Sequence, residues 1–266
     1  MNLDYKLEKL KQIIKGYGSC LVAFSGGVDS SFLLKAASLV LPKDKLLAVT
    51  ADSETYPRQE LMAAKRIARS FRVKHEVIKT GELKDRRFVI NPTNRCYFCK
   101  KELFKSIKVL ANEYGLNQVL DASTVTDKSD FRPGNKAKKE LGVRSPLQEA
   151  GFTKDDVRAL SKKLGLVTWD KPSLACLASR IPYGTKISKD ILNRINKGEE
   201  ILRREGFRQV RLRHYDSLCR IEVEKDEIPY LISKRKRLVD KLHSLGYNHI
   251  TIDLKGYRMG SLNEVA

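Results

Sequence analysis

The sequence predicts an α/β fold, a parallel sheet wound on both faces by helices and followed by a smaller α/β unit. Three observations carry that expectation. Helical and strand patterns alternate through the first part of the chain, a Gly/Ser-rich turn, AFSGGVDSS, stands directly behind the first strand pattern, and the order of patterns changes after the segment WDKPSLACLASRIPYG. Strands separated by helices of this length pair in parallel and bury both sheet faces.

Each element follows from its periodicity. LDYKLEKLKQII spaces its apolar residues as a helix does, SCLVAF is a short strand, and SSFLLKAASLVL is an apolar helix that starts at the serines. KLLAVTAD is a second strand, RQELMAAKRIARSF a helix and KHEVIKT a third strand. KKELFKSIKVLANEYG is an amphipathic helix beginning at Lys100, NQVLDAS a strand and TKDDVRALSKKLG a helix. Beyond the Pro-bearing segment come the helix KDILNRINKGEEILRREG, the strands QVRLRHYD and LCRIEVE, the helix EIPYLISKRKRLVDKLHSLG and the strand HITIDL. The domains are therefore expected at residues 1–170 and 171–266. No internal repeat or low-complexity tract interrupts them.

The 266 residues suit one larger and one smaller domain. No apolar run approaches the roughly 18 residues that span a bilayer, and MNLDYKLEKLKQ is charged where a signal peptide is apolar. A cytoplasmic location is expected. The net charge of +20 raises the question of a nucleic-acid partner. Residues 180–266 hold 19 Lys or Arg against 12 Asp or Glu, a surplus of 7, which leaves a surplus of 13 in residues 1–179. Charge spread in this way reads as a solvated surface, with an anionic small substrate or RNA as the other options.

In AFSGGVDSS, the glycines let the backbone approach a ligand, and the amides of Gly26, Gly27 and the residues after them point at it with a helix dipole behind. That describes an anion cradle. It matches neither the Walker loop nor the dinucleotide-binding glycine pattern. The five cysteines are too few and too unevenly spaced for a disulfide framework. Cys96 and Cys99 form a C-x-x-C, which alone fits a redox pair or half a zinc site, and Cys176 lies further along in KPSLACLASR. The four histidines stand at no short ligand spacing to any cysteine. Three thiolates without a fourth partner suit a 4Fe-4S cluster with one iron open. Cys20 and Cys219 sit in strand-like apolar runs and read as buried hydrophobes. QVRLRHYD places Arg211 and Arg213 on one strand face, where two guanidinium forks suit a phosphate unless they are simply solvated.

SGGVDSS resembles the PP-loop of the N-type ATP pyrophosphatases, which cleave ATP between its α and β phosphates. That resemblance implies a Rossmann-like ATP pyrophosphatase domain in which Ser25, Gly26, Gly27, Asp29, Ser30 and Ser31 hold the pyrophosphate of ATP, Asp29 also supporting Mg²⁺. PSLACLASRIPYGTKI, DASTVTDKSDFRPG, GVRSPL and LKGYRMGSLNE, with the loop, are similar over nearly the whole chain to the LarE family of ATP-dependent sulfur transferases. Members adenylate a carboxylate of pyridinium-3,5-biscarboxylic acid mononucleotide and turn it into a thiocarboxylate for the nickel-pincer nucleotide of lactate racemase.

The resemblance implies one of two sulfur sources, the sacrificed sulfur of Cys176 or a 4Fe-4S cluster on Cys96, Cys99 and Cys176, and the C-x-x-C places the chain with the second. It further implies that Arg211, Arg213 and Arg258 hold the substrate phosphate, that Glu200 lies near the sulfur-donating cysteine, and that the chain forms dimers or hexamers. Arg180 would steady a substrate carboxylate or phosphate, or else form a surface ion pair. The competing class is a 4Fe-4S tRNA thiolase, against which stand the missing zinc ribbon, arginine-rich arm and aromatic-studded basic surface. A PP-loop amide synthetase leaves the three cysteines unexplained, and a nucleotide-sensing module discards the sulfur chemistry.

Overall fold

The computed structural model describes residues 2–128, 133–173, 175–258 and 260–261. The parts of DASTVTDKSDFRPG, PSLACLASRIPYGTKI and LKGYRMGSLNE at residues 129–132, 174, 259 and 262–264 lie outside them. The chain runs α1 (Leu3–Tyr17), β1 (Cys20–Ala23), α2 (Val28–Ser38), β2 (Leu46–Asp52), α3 (Arg58–Ser70), β3 (Lys74–Lys79), α4 (Arg86–Val89), α5 (Arg95–Glu113) and β4 (Gln118–Leu120). It continues through α6 (Gly134–Glu140), α7 (Pro146–Glu149), α8 (Lys154–Lys163), α9 (Lys189–Arg204), β5 (Val210–Tyr215), β6 (Leu218–Val223), α10 (Ile228–Ser233), α11 (Arg235–His243) and β7 (His249–Ile252). Two compact units result, Met1–Glu82 with Asn94–Lys171 and Leu83–Thr93 with Pro172–Ala266.

In the first unit the sheet order is β3-β2-β1-β4, all parallel. Side chains of successive strand residues point to opposite faces, and the core divides accordingly. Cys20, Val22, Leu46 and Ala48 pack with α2, α3 and α8 through Leu33, Ala64 and Leu160. Leu21, Leu47 and Val49 pack with Phe104, Ile107 and Ala111 of α5. The sheet is wound on both faces, as the alternation predicts. Strand order reverses between β1 and β4, and in open parallel sheets ligands bind beyond the carboxyl ends of the strands at that place.

The second unit has a sheet of order β5-β6-β7, antiparallel then parallel. Helix α9 packs closely on β5, because a Cβ on Gly198 would lie 2.6 Å from Cδ1 of Leu212. Residues 83–93 are stitched into this unit by Asn91. Its side chain is buried, its φ is +57°, and its Nδ2 donates to the carbonyls of Pro182 at 2.7 Å and Thr185 at 2.9 Å.

Two boundaries differ from expectation. Helix α5 starts at Arg95 rather than Lys100, so the C-x-x-C lies on the helix; its N-cap, Asn94, makes no side-chain capping bond and leaves no start signal. The long helix expected over EIPYLISKRKRLVDKLHSLG is two, α10 and α11. Ser233 donates its hydroxyl to the Tyr230 carbonyl at 2.7 Å, competing with the helical ladder where the charged run SKRKR begins.

Candidate active site

The glycine–serine loop links β1 to α2 at the carboxyl edge of the first sheet. Gly26 has φ +62°, and a Cβ there would lie 3.0 Å from Cα and Cβ of Ala64 on α3, so no other residue fits. Gly27 is the N-cap of α2 and supplies no side-chain cap, which leaves the first N–H groups of the helix open to an anion. Ser25 and Ser30 meet hydroxyl to hydroxyl at 3.1 Å, Ser30 donates to the Gly27 carbonyl at 3.3 Å, and Asp29 sits in the first turn of the helix. The hydroxyl of Ser31 is buried and has no hydrogen-bond partner among the described residues.

The carbonyls of the loop are taken from behind. Thr50 donates its hydroxyl to the Phe24 carbonyl at 2.6 Å, Tyr56 to the Ser25 carbonyl at 2.5 Å, and Lys171 Nζ to the Gly26 carbonyl at 3.0 Å. Lys171 is in turn paired with Glu60 at 2.5 Å. Neither Tyr56 nor Lys171 is evident from the sequence, since their partners lie far away along the chain.

On α5, Cys96 is exposed and Cys99 half-buried, three residues apart and therefore on one face of the first turns. Cys99 Sγ donates to Glu82 Oε1 at 3.8 Å. Glu82 is buried, and burial pushes its carboxyl above the usual carboxylate range, against hydrogen bonds from Thr80 and Cys99 that pull it down. Cys20 and Cys219 are buried, and desolvation raises both thiols to about 12, which makes them unreactive.

In the second unit Cys176 is exposed and precedes a 3-10 turn, Leu177–Arg180. Arg180 is fully buried, which excludes the surface ion pair. Its Nε and Nη2 bind Glu199 Oε1 and Oε2 at 2.7 and 3.1 Å, while Nη1 donates to the carbonyls of Ala175 at 2.6 Å and Cys176 at 3.0 Å. Arg211 and Arg213 are also buried rather than solvated. Arg211 Nη2 donates to the Ser173 carbonyl at 2.6 Å, and its guanidinium carbon stands 5.0 Å from the Tyr257 ring centre. Arg213 binds Glu222 through Nε at 2.9 Å and Nη2 at 2.7 Å, and its Nη1 donates to the Ser179 carbonyl at 2.7 Å. Burial and the neighbouring Arg180 push Arg211 down to about 10, still charged at neutral pH.

Arg258 is about a third exposed and stands 3.7 Å from Asp253. Glu200, half-buried on α9, accepts from Asn196 at 2.9 Å. Among the described residues no group of three or more His, Cys, Asp or Glu side chains is gathered for a metal ion. Cys96 and Cys99 belong to the first unit and Cys176 to the second.

The asparagine synthase family model matches residues 15–87, the stretch that holds the glycine–serine loop. An uncharacterized protein of Synechocystis is 41% identical over 265 residues, 99% of this chain and 98% of its own. The pyridinium-3,5-bisthiocarboxylic acid mononucleotide synthase of Lactiplantibacillus plantarum is 36% identical, covering 98% of this chain and 95% of the relative. The chain belongs to the LarE family. A more distant relative, an uncharacterized protein of Methanocaldococcus jannaschii, is 28% identical over 95% of this chain.

LarE membership makes the chain an ATP-using enzyme of the PP-loop superfamily. The resemblance to LarE singles out Glu200, whereas the buried carboxylate bound to Arg180 is its neighbour Glu199. Glu222 was equally hidden in the sequence, its partner Arg213 being supplied by another strand, and Glu82 was hidden although Thr80, two residues before it, is its nearest donor.

Proposed function

We propose that the chain is an ATP-dependent sulfur transferase that adenylates a carboxylate of pyridinium-3,5-biscarboxylic acid mononucleotide and converts it to a thiocarboxylate in the making of the nickel-pincer nucleotide. The observation that carries this reading is the likeness to the bisthiocarboxylic acid mononucleotide synthase, which spans the PP-loop, the C-x-x-C helix and the Cys176 segment together.

A carboxylate resists substitution because its charge repels nucleophiles and its oxygen leaves poorly. In the first step a carboxylate oxygen attacks the α-phosphorus of ATP, the bond from that phosphorus to the bridging oxygen breaks, and pyrophosphate leaves. The uncapped start of α2 and the orphaned hydroxyl of Ser31 fit an anion here. Ser25, Gly26, Gly27, Ser30 and Ser31 would hold the departing charge, and donors preset toward developing charge are among the largest catalytic contributions. Asp29 offers the oxygen donor that Mg²⁺ prefers. In the second step a sulfur nucleophile attacks the acyl carbon, the carbon–oxygen bond to the phosphate breaks, and AMP leaves.

The donor chemistry of Cys96, Cys99 and Cys176 fits a 4Fe-4S cluster, since none of the three is buried like Cys20 and Cys219. Such a cluster, when bound, would supply an exchangeable sulfide. Residues 1–170 would then carry activation and two of the three thiolates, and residues 171–266 the third thiolate and the sulfur-transfer segment. Of the three arginines expected to hold the substrate phosphate, the part-exposed Arg258 is assigned to it, because Arg211 and Arg213 are buried and spend their forks on the Ser173 carbonyl and on Glu222.

The test uses anaerobically purified protein with ATP, Mg²⁺, sulfide and the pyridinium dicarboxylate. Release of AMP and pyrophosphate with sulfur-for-oxygen exchange in the product is expected, along with iron and labile sulfide in the protein. A Cys176 peptide lighter by the elements of hydrogen sulfide would replace the cluster with the sacrificial route. Sulfur appearing in tRNA and not in the pyridinium nucleotide would overturn the substrate.

A further inference from the structure

Cys176 stands on irregular backbone, and such a segment places a sulfur reproducibly only if something other than a helix or sheet ladder holds it. The hydrogen bonds of the second unit supply that hold. Arg180 Nη1 reaches the carbonyls of Ala175 and Cys176, Arg213 Nη1 the carbonyl of Ser179, and Arg211 Nη2 the carbonyl of Ser173. Main-chain acceptors on both sides of the cysteine are thus bound by guanidinium groups, while the cysteine itself stays exposed.

Arg213 is buried and divided in the same way between Glu222 and the Ser179 carbonyl, but Arg180 is the one bound to the carbonyl of Cys176 itself. Both edges of its fork are used, one on Glu199 and one on the Cys176 backbone, and neither residue of the pair is accessible. Glu199 fixes the other end of the device. Its carboxylate also accepts from the Leu212 amide of β5 at 3.2 Å and from Arg203 on α9 at 2.6 Å. The close approach allowed by Gly198 brings α9 near enough to β5 for one carboxylate to tie a strand, a helix and a guanidinium together. A buried ion pair is a weak source of net stability, because desolvation offsets most of its attraction. What a rigid planar fork does supply is geometry.

We propose that the Arg180–Glu199 pair is a positioning device for Cys176, fixing the main chain from which the sulfur-handling side chain projects and making no contact with substrate. The inference rests on the reading of Cys176 as the residue of sulfur transfer. It removes Arg180 from the substrate site and gives the buried glutamate a task distinct from acid–base chemistry.

The experiment compares full-length wild type with Arg180→Lys, which keeps the charge and loses the fork, and Glu199→Gln, which keeps the shape and loses the charge. Five readouts are taken on each: AMP release with ATP and the pyridinium dicarboxylate, thiocarboxylate formed per AMP, the KM for the dicarboxylate, the rate at which iodoacetamide alkylates Cys176 in the native protein, and amide exchange around Cys176. In Arg180→Lys, AMP release should persist while thiocarboxylate per AMP falls about tenfold or more, since a displacement of about 1 Å can cost a hundredfold. The KM for the dicarboxylate should stay near wild type, and alkylation of Cys176 together with amide exchange over residues 173–179 should speed up. Unchanged exchange and alkylation would overturn the device even if sulfur transfer fell. A rise in KM with kcat intact would overturn it too, by returning Arg180 to the substrate. Should Arg180→Lys not fold, the same readouts on Glu199→Gln decide. Cys176→Ala forming thiocarboxylate at the wild-type rate would instead refute the reading of Cys176, and that result is independent of the exchange data.

Discussion

In the proposed reaction two loops carry the chemistry, and both are held by cations that donate to main-chain carbonyls. They differ in how tightly. The PP-loop is held by Lys171, whose pair with Glu60 leaves the side chains 18% and 17% exposed. The Cys176 segment is held by Arg180, whose pair with Glu199 leaves 1% and 0%. Lysine is a flexible point charge and arginine a preset fork. A loop that admits and releases a nucleotide is served by the first, and a segment that must present one sulfur in one place by the second. In the proposed reaction, the more open and the closed clamp would mark the side where a ligand exchanges and the side where geometry is fixed.

The comparison breaks most sharply at the residues the two loops carry. Asp29→Ala should abolish pyrophosphate release, and Cys176→Ala should abolish thiocarboxylate while adenylation continues, both followed by product chromatography. Equal loss of AMP formation in both variants would mean that the loops do not divide the reaction as described.

Next in size is the closed clamp. Glu199→Leu leaves Arg180 charged and buried without its carboxylate, a change that costs about 3–5 kcal/mol when one partner of a buried pair is removed. Urea unfolding measures it, and a loss below that of an exposed pair would contradict the burial of Arg180. The half-open clamp should cost less. Lys171→Met removes the charge-assisted hydrogen bond to the Gly26 carbonyl, about 1.5–3 kcal/mol, together with the partly exposed pair to Glu60, felt mainly as a higher KM for ATP with thiocarboxylate per AMP unchanged.

The smallest effect is on pH. Burial raises the Glu199 carboxyl, but Arg180, Arg203 and Arg211 outweigh it and hold the group below its usual range. A depressed native value means that the stabilisation is fully present above the unfolded carboxylate value of about 4.3 and is lost as pH falls through the lower folded value. Glu199→Gln should flatten that part of the acid limb in urea midpoints measured from neutral pH downward.

What the sequence disclosed and what it hid follow the same division. The PP-loop is legible because its glycines, serines and aspartate are contiguous and each does its work within one turn. The sheet is legible because alternation of period two and of 3.6 is local. Arg180 and Glu199 are 19 residues apart and on different elements, and their meeting depends on α9 lying against β5. Spacing reveals that Arg211 and Arg213 share a strand face, but it cannot tell whether they are solvated or buried against the carbonyls of Ser173 and Ser179. The reach of α5 back to Arg95 was hidden for a local reason, the missing cap at Asn94.

Asn91 has a consequence for how the chain can be dissected. Because Leu83–Thr93 is built into the same body as Pro172–Ala266, no single cut liberates either half intact. A fragment ending at residue 171 carries an orphan strap whose carbonyl partners have been removed, and residues 172–266 made alone lack the asparagine that threads them. The strap must therefore wait for a body synthesised long after it, and separate expression of the halves should succeed only where the strap is grafted onto the second.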